Sequence, residues 1–325
     1  MTPTTRVEFA ILGAGAIGSV LGAHLARAGH RVAMLAREPR ASLIEREGLR
    51  LRGLVEFSTP VTVLREPARL AGAEVLIVAM KTPGTAAALA PLRVARPDAA
   101  FSIQNGLAKN AQLAAAFGAQ CVLGALADLS GELCAGGEVL FTRNVRLYLG
   151  ELAPGGRDRA GRIAGVLEAA GIRASATAHI ESLEWSKFCA WVGLAGVSIA
   201  TRAHTWRYLS DPDTAWIVLQ LVREAGLLAR ATGVALTDES VLPAALLCER
   251  PEDEALAALL AAGERFRVNA PEHRMSCLQD LEAGRALEVE ETFGEAHRRA
   301  LRLGLRLPLI EAFYRLLAGL NRRRA

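Results

Sequence analysis

The stretch FAILGAGAIGSVLGAHLARAGHRVAMLAR, Phe9 to Arg37, decides the fold. Val7 to Leu12 is almost wholly apolar and reads as a strand. GAGAIG then opens a helix that runs to about Ala28. Gly29 ends it, and HRVAMLAR reads as the second strand. Gly13, Gly15 and Gly18 carry the G-x-G-x-x-G spacing. The first glycine permits a tight turn, the second lets backbone approach a pyrophosphate, and the third lets the helix pack close to the strand. Phosphate oxygens then meet free N–H groups around Ala16 and Ile17, where the helix dipole also favours an anion. The glycine motif alone is weak. Here it follows a strand and opens a helix, which is the context a dinucleotide site requires.

The end of the second strand bears on which dinucleotide binds. An NAD site usually carries Asp or Glu there for the ribose hydroxyls. This chain reads LAREP, with Arg37 in that place and Glu38 beside it. A guanidinium suits a 2′-phosphate, so NADP (NADPH) is the expected cofactor.

Working outward, Glu74 to Met80, AAFSIQNG and QCVLGALA read as further strands, each buried and bounded by turn signals. GEVLFTRNVRLYLGE has the alternation and Gly punctuation of an antiparallel hairpin. From about Glu181 strand signals vanish. Helical stretches follow at 181–201, 214–232, 252–266, 285–303 and 307–320. Alternating β/α followed by all-α implies two domains. The expected architecture is an α/β N-terminal Rossmann domain, doubly wound with a mostly parallel sheet, over 1–178. An all-α C-terminal domain follows over 179–325.

Composition narrows the function. The 325 residues are 51% hydrophobic with a formal net charge of +4, which suits a large core rather than disorder. The basic residues form no block except Arg322 to Arg324, so no nucleic-acid partner is expected. The five cysteines are odd in number and include no CxxC, which argues against a disulfide framework or zinc site. Apolar runs such as 190–200 are too short to span a bilayer, and no signal peptide precedes the first strand. A soluble, cytoplasmic protein without membrane contact is expected.

Two loops at strand C-terminal ends bear chemistry-capable residues, Lys81 in AMKTPGT and Asn105 in SIQNGL. A third feature is WSKFCAWVGLA, Trp185 to Ala195, an oily helix with one full charge, Lys187. Snorkelling to water would explain such a lysine. So would a role as proton donor, because burial lowers a lysine's pKa toward neutrality.

These segments together resemble the ketopantoate reductase family, the 2-dehydropantoate 2-reductases. The likeness covers nearly the whole chain: ILGAGAIG, MKT, QNGL, ESLEWSKF, SCLQDLEAGRALEVE and GLRLPL, in that order. It implies an NADPH-dependent reductase that turns a 2-keto acid into a 2-hydroxy acid, as ketopantoate becomes pantoate in the pantothenate pathway. It implies Lys187 as general acid at the substrate carbonyl and Glu288 as its partner or as a contact to a substrate hydroxyl. It places Ser276 against the substrate carboxylate, Lys81 and Asn105 in the two loops, and Arg37 on the 2′-phosphate. A small-molecule carbonyl compound is the implied partner, and a homodimer is compatible with the family.

The departures concern the substrate. The family's lysine helix usually carries asparagines four and eight residues after the lysine, where this chain has Trp191 and Ala195. The family's TEIDxxNG reads LEVEETFG, with Glu290 for the aspartate and Phe293 for the asparagine. Spacing of four and eight puts Lys187, Trp191 and Ala195 on one helical face. If that face meets substrate, Trp191 is a substrate-binding residue and the preferred substrate changes. Two further readings use the same residues. One is a paralogue reducing a more apolar ketone or an imine, or a related two-domain enzyme acting on a β-hydroxy acid. The other is a non-catalytic NADP(H)-binding regulator.

Overall fold

The computed structural model describes residues 5–153 and 158–323; Arg324, the last of the basic tail residues, lies outside them. The chain divides into two compact units. One comprises 1–104 and 108–180, the other 105–107 and 181–325. The boundary falls at Ile180, and residues 105–107 group with the helical unit although the residues on either side of them in sequence belong to the first.

Among the described residues, the first unit holds ten strands: β1 Thr5–Leu12, β2 Val32–Leu35, β3 Leu49–Gly53, β4 Phe57–Thr59, β5 Thr62–Leu64, β6 Leu70–Val78, β7 Ala99–Ser102, β8 Leu123–Leu133, β9 Val139–Glu151 and β10 Ala174–Ala176. Five of them form a parallel sheet in the order β5-β2-β1-β6-β7. The order reverses at β1, which is where doubly wound sheets bind ligands at their strand C-termini. β1 and β6 run in register from Phe9 opposite Val75 to Leu12 opposite Val78. Every residue of β2 and β7 and the C-terminal four residues of β1 and β6 are buried, as expected for strands covered on both faces.

A second, mixed sheet has the order β10-β9-β3-β4, with β8 on β9. It corrects one expectation. The stretch 137–151 is not a hairpin but one long strand, β9. Its antiparallel partner is β8, with Leu123 opposite Glu151 and Leu133 opposite Val139. The turn lies earlier, at 134–138, where the Gly137 N–H donates to the Cys134 carbonyl at 2.9 Å. Period-two alternation marks a strand without naming its partner.

Among the described residues, the helical unit contains no strand. Its central element is the Ile180–Thr201 helix, in which every residue from Phe188 to Ile199 is buried. A helix apolar all round must be surrounded by protein. Gly193 and Gly196 allow that. A Cβ on Gly193 would stand 2.9 Å from the Val218 carbonyl oxygen in the Pro212–Ala231 helix, and one on Gly196 would stand 3.0 Å from Phe313. Each fully buried Leu, Val or Phe stabilises the unit by about 1.5–3 kcal/mol.

The expected helix over 285–303 is also corrected. The Ser276–Glu282 helix ends before it, and residues 283–289 are not helical. A π-helical turn, Glu290–Gly294, then leads into the Glu295–Arg302 helix. The Gly294 N–H donates to the Val289 carbonyl, five residues back, at 2.9 Å. Such single π turns inside helices frequently accompany functional sites. No helix among the described residues is long and apolar enough to cross a membrane.

Candidate active site

In the first unit the glycine loop joins β1 to the Ala16–Arg27 helix. Gly13 has φ +113°, a conformation open to glycine. A Cβ there would lie 2.6 Å from the Met80 backbone nitrogen, so the loop rests directly on the end of β6. A Cβ on Gly18 would lie 2.1 Å from the Gly13 carbonyl oxygen, which is the close helix–strand approach the third glycine exists for. A Cβ on Gly15 would meet nothing within 4 Å. Only the second glycine therefore faces open space, on the side where a pyrophosphate would approach. The helix start has no side-chain cap and no acidic residue in its first turn. Its N–H groups suit an anion, so these residues fit a dinucleotide.

Two more loops gather at the same sheet edge. Gln104 Nε2 donates to the Lys81 carbonyl at 3.3 Å and to Thr85 Oγ1 at 2.8 Å. Ser102 Oγ donates to Gln104 Oε1 at 2.9 Å. The loops after β6 and β7 are thereby tied side by side, and the Lys81 side chain stays exposed. Arg37 follows β2, is exposed, and its side chain has no hydrogen-bond or ion-pair partner among the described residues. The neighbouring acid is engaged: Arg65 Nε donates to Glu38 Oε1 at 2.5 Å, and the Ser42 N–H donates to Glu38 Oε2. The Arg65 hydrogen bond, first among the causes, holds the Glu38 carboxyl below its usual range.

In the helical unit, the QNGL loop sits on the segment that carries Glu288. Gly106 has φ +92°, and a Cβ there would lie 2.7 Å from the Glu291 carbonyl oxygen. Arg299 Nη2 donates to the Leu107 carbonyl at 2.9 Å, and its guanidinium lies 5.9 Å from the Trp185 ring centroid. One arginine thus links the Asn105 loop to the start of the lysine helix. Glu295 in turn holds Arg299, accepting from its Nε at 2.8 Å. Burial raises the Glu295 pKa, but the Arg299 and Arg302 contacts outweigh it and the net direction is down. Thr292 Oγ1 donates to the Glu288 carbonyl and fixes the backbone of the turn. Burial, aided by the Glu288 and Glu290 charges, holds the Glu291 carboxyl above its usual range.

Lys187 and Glu288 are each half-buried. The residue before Lys187 is anchored: Ser186 Oγ donates to the Ser182 carbonyl at 2.7 Å and accepts from the Thr237 N–H at 2.8 Å. Ser276 is exposed at the start of a seven-residue helix. Trp191 is 9% exposed and Ala195 fully buried. The Trp191 ring centroid lies 6.1 Å from that of Phe293. Its indole N–H has no hydrogen-bond partner among the described residues.

Sequence reasoning did not single out Arg299, Glu291 or Arg40. No motif marks them, because each acts through a contact distant in sequence. A cavity lined by Arg223, Arg230, Cys248 and Arg250 holds none of the expected site residues and lends the carbonyl site no support.

The chain matches the model for "Ketopantoate reductase PanE/ApbA" over residues 9–154 and the model for the C-terminal part of the same family over 179–321. It is 26% identical over 313 residues to a 2-dehydropantoate 2-reductase of Archaeoglobus fulgidus, covering 96% of this chain and 97% of that one. A crystal structure of 2-dehydropantoate 2-reductase from Methylococcus capsulatus matches with TM-score 0.79 and 26% identity, over 99% of this chain and 98% of that one. D-mandelate dehydrogenase with NADH and anilino(oxo)acetate shares the fold, with TM-score 0.84 at 16% identity over 98% of this chain and 99% of that one. With both halves matched in order and the dinucleotide loop built as it requires, the chain belongs to the ketopantoate reductase family, oxidoreductases that act on a CH–OH group with a nicotinamide dinucleotide.

Proposed function

We propose that the chain reduces a 2-keto acid to a 2-hydroxy acid with NADPH, and that its substrate carries a more apolar side chain than ketopantoate. When bound, the nicotinamide supplies the hydride. Lys187 donates a proton or hydrogen bond to the carbonyl oxygen as negative charge develops there. Glu288 holds the lysine or a substrate hydroxyl. Ser276 and Asn105 contact the carboxylate end. Gly15, Ala16 and Ile17 receive the pyrophosphate, and Arg37 and Lys81 the remaining phosphate charge.

The single observation that carries the substrate reading is the Trp191–Phe293 contact. It occupies two positions at which the family usually presents amides. Both rings belong to the buried core of the helical unit, and with no amide at either position to hydrogen-bond it, a substrate hydroxyl loses its advantage there.

The test is a panel of ketopantoate, 2-ketoisovalerate, 2-ketoisocaproate and phenylglyoxylate, followed by NADPH oxidation. The last belongs in the panel because D-mandelate dehydrogenase shares the fold. A kcat/KM at least about tenfold higher for an apolar acid than for ketopantoate supports the reading. The reverse order restores ketopantoate as substrate. Lys187→Ala should lower kcat by about 10²- to 10⁴-fold, the usual worth of a positioned proton donor, and near-native turnover refutes the acid role.

A further inference from the structure

The glycine loop has a buttress on the side away from its open face. Arg40, at the start of the Arg40–Glu47 helix, is half-buried and makes three hydrogen bonds. Its Nε donates to the Ala14 carbonyl at 3.2 Å, its Nη2 to Ser19 Oγ at 3.0 Å, and its Nη1 to the Gly137 carbonyl at 2.5 Å. Ser19, fully buried, donates from Oγ to the same Ala14 carbonyl at 3.3 Å. One guanidinium therefore joins the dinucleotide loop, the first turn of its helix and the turn between β8 and β9.

The peptide plane makes this matter for binding. In a trans peptide the C=O and the following N–H point in opposite directions. Two donors draw the Ala14 carbonyl inward, so the Gly15 N–H turns outward. That N–H makes no backbone hydrogen bond among the described residues, and beside Gly15 a Cβ would find nothing within 4 Å. The helix N–H groups of Ala16 and Ile17 follow directly. Orphan donors aimed at one point need a rigid loop, because an anion loses affinity when it must first order its own site.

We propose that Arg40 is a positioning residue for the cofactor: it fixes the Ala14–Gly15 peptide so that the loop's N–H groups face the pyrophosphate before it arrives. Its positive charge behind the loop adds attraction for the same anion. The proposal rests on the dinucleotide loop and is independent of which carbonyl compound is reduced.

The test is direct titration of the purified chain with NADPH and with NADH, read by quenching of protein fluorescence, without carbonyl substrate. Arg40→Met should weaken both cofactors about tenfold or more, as loss of charge-assisted bonds would. It should leave the melting profile folded, and it should leave kcat at saturating cofactor within about twofold of native. Arg40→Lys, which can satisfy one acceptor but not three, should fall between. Ser19→Ala removes the second donor to Ala14 and should weaken binding about threefold. Native cofactor affinity in Arg40→Met overturns the proposal. Should that variant fail to fold, native affinity in both Arg40→Lys and Ser19→Ala overturns it equally. A loss confined to kcat would also overturn it, because a loop positioned for binding acts on affinity.

Discussion

Trp191 and Phe293 pack against each other with ring centroids 6.1 Å apart and planes 50° inclined. They come from different elements, the central helix and the π turn. Both are positions where the resemblance drawn from the sequence expects asparagine, and the two side chains form one contact. A tilted aromatic pair of this separation adds about 0.5–1.5 kcal/mol beyond the area it buries. Trp191→Ala and Phe293→Ala should each destabilise the helical unit by about 3–5 kcal/mol, the usual range for a large buried aromatic. In a double-mutant cycle by urea unfolding, the coupling should be about 0.5–1.5 kcal/mol. Additive losses would mean that the rings merely fill space separately.

Gly15 and Gly18 make opposite demands and should give opposite phenotypes. Gly15 has φ −72°, which alanine adopts freely, and its Cβ would stand clear of other atoms. Gly15→Ala should keep native stability to within about 0.5 kcal/mol. It should weaken the dinucleotide at least about tenfold, about 1.4 kcal/mol, because the methyl stands where the pyrophosphate approaches. Gly18→Ala drives a Cβ against the Gly13 carbonyl and should cost about 1–3 kcal/mol of stability. Thermal melting and cofactor titration of the two variants separate the effects. A stable Gly18→Ala protein with native cofactor affinity would contradict the close approach.

The parallel sheet and its glycine loop are legible in the sequence because their signals are local. Apolar runs, glycine spacing and the helix stop at Gly29 all lie within thirty residues of each other. The short strands β3, β4, β5 and β10 are not legible, since each is only partly buried and lacks the continuous apolar run that marks β2 and β7. The break in the helix expected over 285–303 hides for a different reason. LEVEETFG holds good helix formers, and propensity yields there to the packing of Thr292, Phe293 and Gly294. The residues of the candidate site are named by motif, but their supports are not. Arg299 reaches Leu107 across 192 positions of sequence, and Arg40 reaches Gly137 across 97. No window of sequence contains such a pair.

His24 should make stability fall in mild acid. Its ring lies between Phe57 and Phe141, Nδ1 sits 2.8 Å from the Ala170 carbonyl, and Nε2 has no partner among the described residues. Burial is the largest cause pushing its pKa below the ordinary 6.5; the Ala170 bond opposes and Arg27 reinforces. Well above pH 6.5 both folded and unfolded states hold a neutral ring, and His24 contributes no pH dependence. Below it the unfolded chain takes up a proton that the folded chain resists, so unfolding is favoured progressively until pH passes the folded value. Urea unfolding at pH 8, 6 and 5 should show a loss that His24→Phe reduces. An identical pH profile in that variant would show that other groups carry the effect.

Arg37 should decide between the two dinucleotides without touching the fold. Its guanidinium is exposed and has no partner among the described residues, so Arg37→Ala should change the melting temperature little. The acid beside it cannot readily take the ribose hydroxyls in its place, because Arg65 and the Ser42 N–H already bind Glu38. Charge-assisted bonds to a 2′-phosphate would be worth about 1.5–3 kcal/mol. Arg37→Ala should therefore raise the KM for NADPH at least about tenfold and leave that for NADH within about twofold. Equal losses with both cofactors would place Arg37 away from the 2′-position. If NADPH affinity stays native and Arg65→Ala lowers it instead, the phosphate contact belongs to the neighbouring strand end.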